Sequence, residues 1–200
     1  MRKLVIASRN KGKISELKEL LRGQNFEILS LDDLPHIPEI EETGNSFKEN
    51  ALIKARITAQ KTGFLTLADD SGLEVDALDG SPGIYSSRFA GPEKDDEANN
   101  KKLLSLLEGV PTEKRTARFR CVVAAVDPQG IEITTEGVCE GRIGFEPRGS
   151  YGFGYDPIFI VEEYGLTMAE LKPEIKNKIS HRAKALAKMA TILKGIGNLG

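Results

Sequence analysis

Short apolar runs alternate with stretches of helical spacing along this chain. Lys3 to Ala7 predicts a buried strand. Ile14, Leu17, Leu20 and Leu21 then recur at i, i+3, i+6 and i+7, which predicts an amphipathic helix ending near Gly23. Strand, polar loop and helix in that order is a common opening of α/β folds that handle nucleotides. Phe26 to Leu31 reads as a second strand, followed by an acidic loop with prolines from Asp32 to Thr43. Ser46 with Glu49 three residues on forms a capping box, and Gly63 stops the helix it begins.

Phe64 to Ala68 predicts a strand that ends in Asp69-Asp70-Ser71-Gly72, with Gly72 letting the chain turn away into a short extended piece, Leu73 to Leu78. Ser81 to Pro92 reads as an aperiodic loop, and Asp95 to Glu108 as a helix with acids in its first turn. Thr116 to Val126 and Ile131 to Cys139 alternate around Asp127-Pro128-Gln129-Gly130, which predicts an antiparallel hairpin. Ser180 to Lys194 predicts a last helix with Ala183, Leu186, Ala187, Ala190 and Leu193 on its apolar stripe. The fold class is therefore α/β, a mixed sheet flanked by helices, without internal repeats or a clean linker.

Two hundred residues suffice for one full-sized domain or two small lobes sharing a core, and one enzyme-sized unit, residues 1–200, is the default. A net charge of -2 with average apolar and charged fractions argues against a disordered chain, a membrane protein or a whole-surface polyanion binder. Phosphate contacts must then be local. The apolar run near Met1 is cut off by Ser8-Arg9-Asn10-Lys11, too short for a signal peptide or membrane span, so a cytoplasmic location is expected. Cys121 and Cys139 read as core thiols, with a cross-strand pair as the alternative.

Asp69 and Asp70 lie where a strand of an open α/β sheet delivers ligand groups. Side chains alternate along a strand, so at most one of them points into a given cleft, and the pattern alone does not say which. Magnesium takes hard oxygen ligands, one or two carboxylates completed by water and phosphates, and Glu41 and Glu42 are the acids that could join Asp70. A plain acid-Ser-Gly turn fits the same residues equally well. Ser8-Arg9-Asn10-Lys11-Gly12-Lys13 offers hydroxyl, amide, ammonium and backbone donors at a helix N-terminus, a place for phosphate, although it lacks the spacing of a Walker A loop.

The C-terminal segment sets Lys172, Lys176, Lys178, Arg182, Lys184, Lys188 and Lys194 against one acid, Glu174, mostly a solvated basic face. Ser180-His181-Arg182 differs, because several donors there can address one planar ligand. Tyr151-Gly152-Phe153-Gly154-Tyr155-Asp156-Pro157 sets aromatics between glycines, suited to stacking on a flat ligand. It also resembles an RNA-recognition octamer, but Pro157 removes a ladder donor and favours a base-stacking loop over an RNA-binding strand.

Five segments together resemble the inosine/xanthosine triphosphate pyrophosphatase family: ASRNKGKISEL (7–17), EETGNSFKENALIKA (41–55), ADDSGLEVDALDGSPGIYSSRFAG (68–91), GFGYDPIF (152–159) and KNKISHRAKAL (176–186). Ser87 stands where the family usually has Ala. The resemblance implies an elongated mixed sheet with two lobes around a central nucleotide cleft, and a homodimer. It implies Mg2+-dependent hydrolysis of non-standard purine nucleoside triphosphates, ITP, dITP and XTP, to monophosphate and pyrophosphate, with no nucleic-acid or membrane partner. Carried over by motif, the Ser8 to Lys13 segment holds the triphosphate, chiefly through Ser8, Asn10 and Lys13. Glu41 and Asp70 bind metal, and Asp70 is the catalytic base. Ser71 and Lys176 touch substrate, and Phe153, Gly154, Tyr155 and Asp156 with His181 and Arg182 form the base pocket. The competing expectations are a nucleotide- or RNA-binding protein without turnover, and a pyrophosphatase for modified pyrimidine nucleotides.

Overall fold

A computed structural model describes residues 2–23 and 25–197; the side chains of Leu20 and of residues 195–197 lie outside the described set. Strand β1 (Arg2–Ile6) leads to helix α1 (Lys11–Leu20), and β2 (Phe26–Ser30) precedes helix α2 (Phe47–Thr62). Asn10 starts α1 by accepting the Lys13 N–H, and Ser46 starts α2 by accepting the Glu49 N–H at 3.2 Å. The return arm of that predicted box goes one residue further back, since the Glu49 carboxylate takes the Asn45 N–H at 2.6 Å. Gly63, at φ 68, closes α2 in the left-handed conformation that only glycine adopts without strain.

β3 (Leu65–Val75) corrects the sequence reading. It runs unbroken through Asp69, Asp70, Ser71 and Gly72, so Gly72 does not turn the chain away. Local chemistry favours a turn there; tertiary partners for both carboxylates keep the backbone extended. A 3-10 turn, Gly83–Arg88, lies in the segment read as an aperiodic loop, and α3 (Asp96–Leu106) follows with Asp95 as its cap. β4 (Thr116–Val126) and β5 (Glu132–Ile143) neighbour each other across the short Asp127 turn, which obliges them to run antiparallel. β6 (Phe159–Val161) is the strand that the loop at Pro157 enters, whereas β7 (Leu166–Thr167) and α4 (Pro173–Ile179) were not foreseen.

α5 (His181–Gly197) buries Ala183, Ala185, Leu186, Met189 and Leu193, whereas the predicted Ala187 is exposed. The seven strands are ordered β2-β1-β3-β4-β5-β6-β7. β1 pairs parallel with β2 and β3, and β6 pairs antiparallel with β5 and β7, so the sheet is mixed as expected.

Packing divides the chain into two compact units. The first holds Met1–Asp70, Cys121–Gly137 and Arg182–Gly200; the second holds Ser71–Arg120 and Val138–His181. In the first, Leu4, Ile6, Leu17, Leu67, Val123, Leu186 and Met189 form the main core. In the second, Leu73, Leu103, Phe119, Tyr155, Phe159 and Met168 do so. Cys121 belongs to the first core and Cys139 to the second, both buried and neither in a disulfide. Among the described residues no helix is long and apolar enough to cross a membrane.

Candidate functional site

β3 alternates, so its adjacent acids meet different partners. In the first unit Asp69 Oδ2 lies 3.0 Å from Lys13 Nζ and 3.3 Å from Arg182 Nε, and Arg182 Nη1 pairs in turn with Glu16. Asp70 Oδ2 accepts from Asn50 Nδ2 at 3.1 Å. Lys54 Nζ donates to Glu42 Oε1 at 2.5 Å and to the Asp69 carbonyl at 2.8 Å, and lies 3.7 Å from Asp70 Oδ1. Asn50 and Lys54 are one turn apart on α2 and therefore share a face. Asn50 Oδ1 also takes the Gly44 N–H, which ties the acidic loop to the start of α2.

Both carboxylates are buried, and burial of an unpaired charge would be prohibitive. Burial alone would raise the Asp69 pKa, but Lys13, Arg182 and Lys54 together hold it well below the usual carboxylate range. Asp70 goes the other way: burial raises its carboxyl above the ordinary value against the pull of Lys54 and Lys13. Burial also works against the Lys54 ammonium, yet Asp70, Glu42 and Asp69 outweigh it and raise its pKa.

The Ser8 to Lys13 segment divides in its use. Ser8 Oγ accepts the Asn10 N–H, and Asn10 Oδ1 accepts the Lys13 N–H, so these two side chains shape the entry to α1. Arg9 donates to the Ile37 carbonyl, Lys11 is exposed, and Gly12 is half-buried. Lys13 alone of the six carries its charge to the β3 carboxylates. Glu41 is exposed while its neighbour Glu42 is committed to Lys54.

In the second unit, residues 151–158 are irregular backbone entering β6, not a strand, which removes the platform an RNA-recognition octamer requires. Asp156 Oδ2 accepts the Phe153 N–H at 3.0 Å and Lys176 Nζ at 2.7 Å, and Lys176 Nζ stands 5.0 Å from the Phe153 ring centroid. The loop needs Gly152 at φ 81, where a Cβ would fall on the Asp156 carboxylate. Phe153 is half-buried, whereas Tyr155 turns into the core with its hydroxyl on the Ser86 carbonyl at 2.8 Å. His181 is buried and stacks on Phe119 at 4.7 Å between centroids, and Ser71 is half-buried on β3.

The structure thus gathers Lys13, Asp70 and Arg182 in one unit, and Phe153, Asp156 and Lys176 in the other. Asn50, Lys54, Glu16 and Asp69 complete the first cluster without having been chosen from sequence. A signal existed for Asn50: it stands in the stripe Phe47, Ala51, Ala55 and Ala59, an amide on an apolar face, and is fully buried.

A family model, the Ham1 family, matches residues 4–192, and the chain belongs to that family. A dITP/XTP pyrophosphatase of Desulforamulus reducens is 59% identical over 191 residues, covering 96% of this chain and 95% of that protein. The dITP/XTP pyrophosphatase of Bacillus subtilis is 51% identical over 194 residues, covering 97% and 98%. Among solved structures, a HAM1 protein from Coxiella burnetii matches with TM-score 0.89 at 45% identity, covering 98% of this chain and 100% of that one. The Staphylococcus aureus Ham1 protein gives 0.87 at 41%, covering 97% and 99%.

Proposed function

We propose that this chain hydrolyses ITP, dITP and XTP to the monophosphate and pyrophosphate, clearing deaminated purines from the nucleotide pool. The observation that carries the reading is the pair of buried acids on successive positions of β3, each met by a lysine: Asp69 by Lys13 and Asp70 by Lys54. Release of pyrophosphate in one step requires water to attack the α-phosphorus. Asp70 orients and deprotonates that water, and burial makes it a stronger base than an exposed aspartate. Ser8, Asn10, Lys13 and the backbone N–H groups between them hold the triphosphate, and the lysine offsets charge building on the leaving group. Lys176 and Ser71 touch the substrate.

Two carboxylates, Asp70 and the exposed Glu41, suit a hard divalent ion. Among the described residues no three His, Cys, Asp or Glu side chains could hold a metal by themselves. The shell of an ion such as Mg2+ is completed by phosphates and water. When bound, Mg2+ supplies charge neutralisation on the phosphates.

The Phe153 ring stacks on the base, and His181 and Arg182 read its 6-oxo group, Arg182 with a guanidinium already oriented by Asp69 and Glu16. A 6-amino group would set donor against donor and leave buried groups unpaired, about 1–3 kcal/mol for each, or roughly ten- to hundredfold. The whole chain acts as one catalytic domain, in a cytoplasmic homodimer.

Incubation with ITP, ATP, dTTP or UTP, with and without Mg2+, followed by ion-exchange separation of products, tests this reading. Metal-dependent IMP and pyrophosphate from ITP, with the other nucleotides largely spared, is the expected result. IDP and phosphate would overturn the mechanism, turnover of dTTP or UTP would favour the pyrimidine reading, and no turnover would favour a binding protein.

A further inference from the structure

Gly154 is gripped from both sides by one helix. Its N–H donates to Asp96 Oδ2 at 2.8 Å, and its carbonyl accepts from Asn100 Nδ2 at 2.9 Å. Asp96 and Asn100 are one turn apart on α3, so their side chains project from the same face and reach the two ends of the same short segment. Gly154 itself sits at φ 63, a left-handed conformation that leaves both its peptide groups turned out of any ladder and in need of partners. The residues on either side are fixed independently, Phe153 through Asp156 and Tyr155 through Ser86.

Asn100 is nine-tenths buried, yet its Oδ1 finds no hydrogen-bond partner among the described residues. An apolar residue of similar size would avoid that orphaned acceptor. Keeping an amide there makes sense where the bond it donates is worth more than the acceptor it strands. The bond this side chain donates goes to the Gly154 carbonyl.

We infer that Asp96 and Asn100 are positioning residues for base recognition: they lock the Gly154 peptide and thereby set the height and tilt of the Phe153 ring. This rests on the reading of residues 153–156 as the base platform. Neither residue touches the nucleotide. Their effect passes through the loop backbone, so it falls on base affinity and discrimination and not on the phosphate chemistry.

The test compares Asp96→Ala, Asn100→Ala, Asp96→Asn and Phe153→Ala by KM and kcat for ITP and ATP, by the inhibition constant of pyrophosphate, and by melting temperature. Asp96→Ala and Asn100→Ala should each raise the ITP KM by about tenfold and lower the ITP-to-ATP ratio of kcat/KM by a similar factor, the scale of one lost charge-assisted or buried hydrogen bond. kcat and pyrophosphate inhibition should stay near wild type. Asp96→Asn keeps an acceptor for the Gly154 N–H and should behave like wild type, a rescue that a merely electrostatic role would not give. If Phe153→Ala raises the ITP KM but the two alanine variants on α3 do not, the positioning inference fails and the base platform stands. If Phe153→Ala leaves the ITP KM unchanged, the platform reading fails and the inference falls with it. A parallel loss of kcat, KM and pyrophosphate binding together with a lowered melting temperature would also overturn it.

Discussion

The acid–lysine cluster of the first unit and the aromatic–glycine loop of the second are built on opposite plans. The cluster stands on regular elements: β3 carries Asp69 and Asp70, α1 carries Lys13, α2 carries Asn50 and Lys54. Its order comes from charge balance, each buried carboxylate being matched by cations or donors. The loop has no ladder or helix of its own. Its order comes from single bonds between side chains and backbone, Asp156 to Phe153, Asp96 and Asn100 to Gly154, and from Gly152, where a side chain would not fit. A charge-balanced cluster should fail when a charge is removed, and a backbone-shaped loop when a methyl group is added.

The largest effect should come from Asp70→Asn. It keeps the shape and removes the base, so kcat for ITP should fall by roughly 10²–10⁴ with little change in KM. Steady-state kinetics on ITP checks this, and wild-type turnover would remove Asp70 from the chemistry. Next is Asp69→Asn, which leaves Lys13 and Arg182 facing a neutral amide. Breaking such a buried pairing costs about 3–5 kcal/mol at neutral pH, measurable by urea denaturation. The sign with pH follows from the depressed Asp69 carboxyl: its stabilisation is complete above the unfolded value near 4 and is lost as pH falls through the lower folded value. The stability gap between wild type and Asp69→Asn should therefore be constant from pH 7 to about pH 5 and shrink below about pH 4.

The loop is probed by Gly152→Ala, whose Cβ would meet the Asp156 carboxylate at a positive φ. About 1–3 kcal/mol of local strain should appear as a raised KM for ITP with kcat nearly intact. If KM is unchanged, the loop is not the rigid platform that the contrast between the two regions requires. The smallest effect is a null result. Cys121 is buried and its thiol is pushed up to about 12, chiefly by burial and then by Asp69. Iodoacetamide at pH 8 should leave it unlabelled in the native protein, and rapid labelling would mean that the cluster opens to solvent.

Much of the framework was legible because its signals are local. The cap Ser46, the stop at Gly63 and the alternation of residues 116–126 all declare themselves within a few positions. The course of β3 through Asp69-Asp70-Ser71-Gly72 was not, because the partners that make an extended acid pair tolerable, Lys13, Arg182 and Lys54, lie on other elements. The same limit hid the grip of α3 on Gly154, since nothing near Asp96 or Asn100 in sequence points to a loop more than fifty residues away. Arg182 was picked out as a donor to a ligand, and the structure shows its first engagements to be Asp69 and Glu16. Tyr155 was grouped with stacking aromatics, and its ring lies in the core instead.

If Asp70 directs water onto the α-phosphorus, hydrolysis of ITP in water enriched in oxygen-18 will record which phosphorus was attacked. Mass spectrometry of the products should place the heavy oxygen in IMP, with pyrophosphate unlabelled. Label in pyrophosphate would mean attack at the β-phosphorus and would contradict a water directed by Asp70 onto the α-phosphorus.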